Sequence, residues 1–445
     1  MNIPTARRLG AAALGGSLLV AGLAVGAAPA QAHDEPDALA KTIGANWLNG
    51  RLDDGLLHAA YAGGSGPVTY VDHGGTVEAA YALDAVGRAR LLPRITAALE
   101  GTVDSYVTGA DFGAPDDTYA GPTGKLLAFA AELGDGSDPA AFGGTDLIAL
   151  MEAMTTDSGG SAGRIVDDAP LDYANVYGQI WAARGLLAVD SPEASTAVDF
   201  LLSQQCADGH FRSFFTDTCG ATAPGPDATA FAVVLMHDYA TDGSDLAAAV
   251  DKATAWLVDW QGRRGGLADD KGVVNANSTG LAGWAFGLEG RNRAAKQAAV
   301  WLRARQVPGR GCDGKLARQR GAIAYSNRAY AQGRRNGIGA LVAGEWQTAA
   351  VQALPALAHA PSTHVALAVD APERVLPGSR PRVRIDGLAP GERACVGIGR
   401  RLVPVVGKAE GETVVVRITV AKRKGERTVR LLTANDSAID RIVVG

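Results

Sequence analysis

The feature that most constrains the fold is a two-helix unit that recurs about every 50 residues. Three segments with helical apolar spacing end in glutamine, at Gln205, Gln261 and Gln306. The second helix of each unit starts near a residue of a regular series, 47, 54, 52 and 50 residues apart. The series is Thr76, Thr123, Tyr177, Thr229 and Thr279. A repeated helix pair of this period predicts stacked helical hairpins, and we place a sixth copy near residues 321–325.

The second helices are apolar nearly all round, as in residues 229–236 and 279–288, whereas the first helices carry charge on one face. A helix that is apolar on every side is buried on every side. Six hairpins fit between residues 40 and 357, with residues 346–357 as a closing helix. The sequence therefore predicts a mainly α protein, an (α/α)6 toroid of six helical hairpins. An open solenoid is the alternative, and it requires polar capping repeats.

The residue composition and charge of the sequence change after Ser362. Short β-branched runs such as residues 382–385 and 413–420 are separated by proline and glycine turns. Residues 361–445 carry 15 Lys and Arg against 9 Asp and Glu, whereas the remainder carries 27 against 38. Both changes predict a small C-terminal β-sandwich, Ig-like, over residues 358–445, following a toroid domain of residues 33–357. Residues 355–361 are predicted to be the linker.

The first 32 residues have the pattern of a signal peptide. A basic pair, Arg7-Arg8, precedes an apolar run of residues 10–28, and Ala30-Gln31-Ala32 is a small-x-small cleavage site. We therefore expect secretion to the extracellular side after cleavage near Ala32, with a membrane anchor as the alternative. No later stretch has the roughly 18 uninterrupted apolar residues of a spanning helix, so no membrane span is expected.

An exported chain can form disulfides, and this one has four cysteines. Cys206 and Cys219 flank one loop, and we predict a bridge between them that stiffens it. Cys312 and Cys395 lie far apart and either pair across the domains or stay free. No CxxC spacing occurs, so no metal site is expected.

The segment Gln205-Cys-Ala-Asp-Gly-His-Phe211 has glutamine, three spacers, glycine, a spacer and an aromatic residue, and residues 261–267 form a looser copy. This pattern resembles the prenyltransferase and squalene oxidase repeat of terpenoid cyclases and protein prenyltransferases. The resemblance covers roughly residues 40–357 and implies an (α/α)6 toroid with an apolar central cavity. Proteins with such toroids differ widely in activity.

The activity motifs of those relatives are missing from the sequence. No acidic pair has the Asp-x-Asp-Asp pattern with which class II cyclases protonate an alkene, a reaction that requires a carboxyl held protonated by its surroundings. The class I pattern Asp-Asp-x-x-Asp fails at Asp167-Asp168, where Leu171 occupies the last position. No Asp, Cys and His set suggests the prenyltransferase zinc. The catalytic residues and any cofactor therefore remain unknown at this point.

In a toroid all inner helices point the same way, so their N-termini ring one mouth of the cavity. Free N–H groups and helix dipoles there favour polar or anionic ligand groups. The densest polar cluster at such a start is residues 172–177, with two tyrosines that suit a mixed ligand. The candidate ligand-binding residues are Tyr119, Asp172, Tyr173, Asn175, Tyr177, Asp227, Asn275, Asn277 and Tyr325. The alternative for Asp227 and Asn277 is a purely structural N-cap.

Three functions stay open on this reasoning. The first is a secreted toroid that binds an apolar or amphipathic small molecule, isoprenoid-like, lipid-like or cofactor-like, in its central cavity. The second is an enzyme, either terpenoid-processing or a glycosidase or lyase that uses paired carboxylates. The third is a cell-surface interaction protein, with cell-envelope contact through the C-terminal domain. The acidic main body argues against a nucleic-acid partner.

Overall fold

The computed structural model describes residues 36–399 and 401–445, so the predicted signal peptide lies outside the described residues. The described residues form one compact unit. Its helices, in chain order, are α1 Ala38–Asn49, α2 His73–Ala85, α3 Leu92–Glu100, α4 Val103–Val107, α5 Ala120–Leu133, α6 Leu147–Ala153, α7 Val176–Ala188, α8 Ala194–Leu202, α9 Pro226–Met236, α10 Asp245–Trp260, α11 Ala276–Leu288, α12 Asn292–Arg303, α13 Asn327–Asn336 and α14 Ala340–Ala353.

The strands fall into two groups. The helical part holds three short hairpins, and the C-terminal part is strand-rich. The strands are β1 His58–Gly63, β2 Gly66–Val71, β3 Thr108–Gly109, β4 Ala114–Thr118, β5 Leu267–Ala268, β6 Val274–Asn275, β7 Ala368–Asp370, β8 Arg374–Val375, β9 Arg382–Asp386, β10 Arg393–Ile398, β11 Arg401–Val406, β12 Val414–Arg417, β13 Gly425–Leu432 and β14 Ser437–Val444.

The helical part is toroid-like, because six helices contact one another in a closed cycle. The order of contact is α2, α5, α7, α9, α11, α14 and back to α2. These helices are apolar and buried along most of their length, as their sequences predict. The sixth helix of the cycle differs from the expectation. Residues 321–325 are not helical, and α14 takes their place, continued by the 3-10 helix Pro355–His359. Pro355, Ala356 and Leu357 are buried there, so this stretch is not a free linker.

The repeated glutamine ties each unit to the next. The side-chain amide of Gln205 donates to the carbonyl of Gly209 and to Ala249 in α10, and that of Gln261 donates to Gly265 and to Ala294 in α12. In each pair the first bond stays within the loop after the glutamine, and the second crosses from that hairpin to the outer helix that follows.

The last copy of this glutamine closes the chain on its first helix. The Gln306 amide donates to the carbonyl of Ala40 in α1 at 2.9 Å. The paired glycine, Gly321, has φ +93°, and a Cβ there would lie 2.0 Å from the carbonyl oxygen of Ile43. Glycine is therefore required where the loop meets the neighbouring helix. The repeat marks the places where adjacent hairpins touch, which is why it recurs.

The inner helices share one direction. At their C-terminal ends Arg184 of α7 donates to Glu132 of α5 at 2.7 Å, and Tyr81 of α2 and Tyr239 donate to the same carboxylate at 2.6 and 2.8 Å. At the other end Gly121 and Gly178, both in first turns, are close enough for a Cβ at one to lie 3.5 Å from the other. The N-termini therefore gather at one mouth, as predicted.

The C-terminal strands form two antiparallel-rich sheets, ordered β11-β10-β13-β14-β8 and β12-β9-β7. Alternate side chains of both sheets, including Val383 and Ile385 of β9 and Val396 of β10, share one buried apolar cluster. The alternation of buried and exposed residues along β9 follows the period of two predicted from its sequence.

The strand-rich part is tied to the helical part by a disulfide and by arginines. Cys312 bonds to Cys395 of β10, the pairing across the two parts that the sequence left open. Arg310 donates to the carbonyls of Thr433 and Ala434, at 2.5 and 3.0 Å. Among the described residues, no helix is both long enough and apolar enough to cross a membrane.

Candidate functional site

The mouth of the ring is built on helix N-caps. The side chains of Asp72, Asn175 and Asn275 accept N–H groups three residues on, at 2.8, 3.1 and 2.9 Å. Asn275, not Asn277, is therefore the cap of α11. The capping prediction is also wrong for Asp227, because α9 starts after Gly225 with a proline in its first turn, and Asp227 is the second helical residue. Asp227 and Asn277 are thus free of the structural role that the sequence favoured.

A cavity of about 410 Å³ opens at this mouth. Its size lies within the range of ~300–1,000 Å³ that is usual for small-molecule sites. Four of the predicted residues line it: Tyr119, Tyr173, Asn175 and Tyr177. The rings of Tyr119 and Tyr173 are 6.4 Å apart, so the cluster predicted from residues 172–177 forms one wall.

The remaining walls come from residues that the sequence reasoning missed. They are Glu78, Tyr106, Lys125, Trp181 and Phe231, together with Asp167 and small residues of α5 and α7. Phe231 contacts both Tyr177 and Trp181, with ring centroids 6.0 and 6.3 Å apart. The cavity is therefore lined mainly by aromatic rings, with a few charged groups among them.

These missed residues occupy the same position in each repeat. The wall residues Glu78, Lys125, Trp181 and Phe231 each stand five positions after the first residue of their helix. Leu281 holds the same position in α11 and lies on the floor. One turn of helix separates the mouth from this layer, so the repeat position, rather than the polarity of the residue, marks the inner wall.

The floor of the ring is filled. Below the cavity, Tyr81, Leu235, Trp284 and Val351 pack with Leu281, and only about 10 Å³ stays open. The resemblance implied an apolar central cavity. The structure instead has an open, mixed cavity at the mouth above a packed apolar floor.

Lys125 and Glu78 form a buried ion pair in the cavity wall. Lys125 Nζ lies 2.7 Å from Glu78 Oε1, and the two side chains are 15% and 17% exposed. Gln352 of α14 donates to the other Glu78 oxygen at 3.1 Å. Burial opposes the charge on Lys125, but Glu78, Tyr106 and Asp72 together outweigh it and raise the pKa of Lys125. Lys125 therefore stays charged, and it also lies 5.2 Å from the centre of the Trp181 ring.

Asp167 organises the loop that carries the tyrosines. Its carboxylate accepts the N–H groups of Ala120 and Tyr173, at 2.8 and 2.7 Å. Burial raises its pKa, although these hydrogen bonds favour the charged form. Asp172 does not line the cavity: it pairs with Arg164 and accepts the N–H of Ala174 at 3.0 Å. Its role in the structure is to hold the loop.

Asp227 is the most perturbed acid near the cavity. Its Oδ1 is buried without a hydrogen-bond partner. Burial raises its pKa to about 6, against a hydrogen bond from Ser278, and the carboxylates of Asp269, Asp270 and Glu78 add to the rise. It precedes Phe231 by one helical turn, on the side of α9 that meets the cavity wall. A carboxyl of this kind can exchange a proton near neutral pH.

The last three candidates surround Asp227 rather than the tyrosine wall. Asn275 is buried as the cap of α11, and the Oδ1 of Asn277 is buried without a partner. Tyr325 donates its hydroxyl to Asp269 at 3.2 Å, and its pKa is raised to about 12, first by burial and then by that carboxylate.

The predicted cysteine pair lies in the loop before α9. Cys206 and Cys219 are joined by a disulfide, with their Cα atoms 5.6 Å apart. Elsewhere in the described chain, Cys312, Asp313 and Cys395 offer three ligand atoms close together. The two sulfurs there are already joined to each other, so this group is not available to a metal.

Comparisons with known proteins show similarity of fold only. A protein from Actinoplanes is similar at TM-score 0.50 and 19% identity, over 73% of this chain and 99% of that one. The type II terpene cyclase MstE from Scytonema is similar at TM-score 0.49 and 15% identity, over 73% and 98%. A glycosidase is similar at TM-score 0.48 and 14% identity, over 73% and 97%. No family model and no curated protein matches the chain.

Proposed function

We propose that the chain binds an amphipathic small organic molecule in the cavity at the mouth of the ring. The observation that supports this is the composition of the walls. Aromatic rings of Tyr119, Tyr173, Tyr177, Trp181 and Phe231 surround a space that also meets one buried ion pair. Aromatic faces hold a flat apolar body, while a few fixed polar groups orient it, which is the usual construction of a small-molecule site.

The layering of the cavity suggests how such a ligand would lie. The floor is apolar, the Glu78–Lys125 pair lies in the same layer as Trp181 and Phe231, and the polar groups of Asn175 and Asp167 stand nearer the mouth. An apolar ring system would rest on Trp181 and Phe231, and its polar end would point to the mouth. The exposed Tyr173 would then cover the polar end.

Native mass spectrometry of the protein recovered from its own secretion medium tests this proposal. We expect an extra bound mass, released by Trp181→Leu and retained by Trp260→Leu, a tryptophan outside the cavity wall. Calorimetry with farnesol and with cellobiose as probes separates an isoprenoid-like ligand from a sugar. If neither probe binds and no mass co-purifies, the binding proposal is wrong.

A second function, proton-donating catalysis, is favoured by Asp227 alone. A carboxyl with a pKa of about 6 and a buried free oxygen is partly protonated near neutrality and can donate to an alkene or a glycosidic oxygen. The negative groups around it would stabilise the cation that forms. We expect turnover of squalene or of a β-linked disaccharide, followed by mass spectrometry, to be abolished in Asp227→Asn and kept in the exposed control Asp116→Asn. Equal turnover in Asp227→Asn and the parent would contradict this role.

We also propose the finer description of the architecture. The cyclic contact of six inner helices and the glutamine bonds that close on α1 support an (α/α)6 toroid of six hairpins. The shared core of the two sheets supports an Ig-like sandwich over residues 358–445. Secretion after cleavage near Ala32 is supported by two disulfides, which persist in oxidising compartments.

A further inference from the structure

A strongly basic surface covers one face of the three-stranded sheet. Along β9 and the residues just before it, every second side chain is an exposed arginine, and the neighbouring strand β12 and the turn after it add more. We call this set the basic face. Its members are Arg380, Arg382, Arg384, Arg417, Lys422, Arg423 and Lys424.

The pairing of the strands sets the spacing of these charges. Arg382 and Arg417 are direct partners across β9 and β12, and pairing continues past the strand ends through the N–H of Val420, which donates to Ser379 at 2.9 Å. Alternate residues on a strand are ~6.6 Å apart and direct partners ~5 Å apart. Arg380 to Arg384 therefore forms a row about 13 Å long.

These charges are only partly balanced inside the molecule, where Asp370 of β7 is the direct cross-strand partner of Arg384. In the described part of the chain, none of the seven side chains takes part in an ion pair or a side-chain hydrogen bond. Like charges placed directly opposite one another destabilise a sheet. Asp370 and Glu373 line a cleft of about 740 Å³ with Arg382 and Arg384, and they leave the face with an excess of positive charge.

The chemistry of the basic face limits the class of molecule that it can bind. Guanidinium groups bind phosphate and carboxylate groups through two parallel hydrogen bonds, and a row of them fits repeated anions better than a single ion. Residues 361–445 hold no Phe, Trp or Tyr. Proteins usually contact nucleic-acid bases and membrane interfaces through aromatic side chains. The absence of such side chains favours a polymer that is recognised by its charges alone.

We propose that the basic face binds a linear polyanion whose phosphodiester groups repeat at about 6–7 Å along an extended chain. This surface is separate from the cavity at the mouth of the ring and does not depend on the function proposed for it. The strand-rich part would hold the secreted protein on an acidic extracellular polymer. The acidic helical part, with 27 Lys and Arg against 38 Asp and Glu outside residues 361–445, would be repelled from the polymer and face away.

The test measures binding of the full-length secreted protein to poly(glycerol phosphate) and to polygalacturonate at several salt concentrations. In Arg382→Gln/Arg384→Gln we expect affinity to fall at least tenfold and the slope of log Kd against log salt to decrease by about 1 to 2. Tighter binding of polygalacturonate than of poly(glycerol phosphate) would overturn the proposal, because it would show that the phosphodiester repeat is not what the basic face recognises.

The matched control is Arg430→Gln/Arg441→Gln, which removes the same charge from two exposed arginines of the other sheet. We expect it to bind like the parent, and unfolding curves to show that both variants are fully folded under the conditions of the binding assay. Equal losses in the two double variants would overturn the proposal, because they would show a response to net charge only. Binding to phosphatidylglycerol vesicles or to a single-stranded oligonucleotide, without binding to either polymer, would overturn it as well.

Discussion

Replacing Asp227 with asparagine should stabilise the protein, and more so at high pH. In the folded chain its pKa is about 6, against 3.8 for an unperturbed aspartate, because burial disfavours the charged form and nearby carboxylates repel it. A carboxyl whose pKa is raised on folding binds its proton more tightly in the folded state. As far as Asp227 is concerned, the protein therefore has its full stability below pH 3.8, where the carboxyl is protonated in both states. It loses stability as pH rises from 3.8 to about 6, and the loss stays constant above that.

The size of this cost follows from the two pKa values. Their difference corresponds to about 3 kcal/mol at pH 8 and to well under 1 kcal/mol at pH 4. The asparagine side chain cannot ionise and has nearly the same shape as that of aspartate. We therefore expect Asp227→Asn to be more stable than the parent by up to about 3 kcal/mol at pH 8, with a much smaller difference at pH 4.

Urea unfolding of both proteins at pH 4, 6 and 8, followed by circular dichroism, measures the difference directly. Asp116→Asn, which removes an exposed carboxylate, is the control and should show no such trend. A difference that is constant with pH, or a variant less stable at pH 8, would refute the assignment of a buried, charge-repelled carboxyl. It would also remove the physical basis of the proton-donor function.

Three further predictions concern the ring itself. Gly124→Ala should cost about 1–3 kcal/mol, measured by urea unfolding, because a Cβ there would lie 2.6 Å from the backbone of α7. Cys206→Ser should cost about 3 kcal/mol through loss of the loop closed with Cys219, and hydrogen exchange should become faster in that loop. Lys125→Met should cost about 1–3 kcal/mol because it leaves the partly buried Glu78 carboxylate without its ion pair, and adding Glu78→Gln should recover much of it; an additive double variant would contradict the pairing.

The repeat was strong enough in the sequence to predict the helical architecture. Local spacing of apolar residues predicts which segments are helices, and the glutamine of each unit recurs because each hairpin makes the same contact with the next. The same reasoning placed Tyr173 and Tyr177 at the mouth. Both expectations depend only on helix period and helix direction, which a sequence displays.

The sixth helix of the cycle could not be placed in this way. Residues 321–325 match the repeat in composition, yet they lie in a loop, and α14 fills the ring in their place. The choice between the two segments depends on which of them packs against both α11 and α2. That is a property of the closed ring and not of either segment alone.

The sequence by itself determined the hairpin period, the strand-rich C-terminal part and the polar cluster at the mouth. Tertiary structure decided which polar groups share a cavity, since Glu78 and Lys125 come from two different helices and meet only when the ring closes. It also decided that Arg382 and Arg417 stand side by side. The physical reason is the same in both cases: short-range spacing fixes the face that a residue occupies, but long-range packing fixes what that face meets.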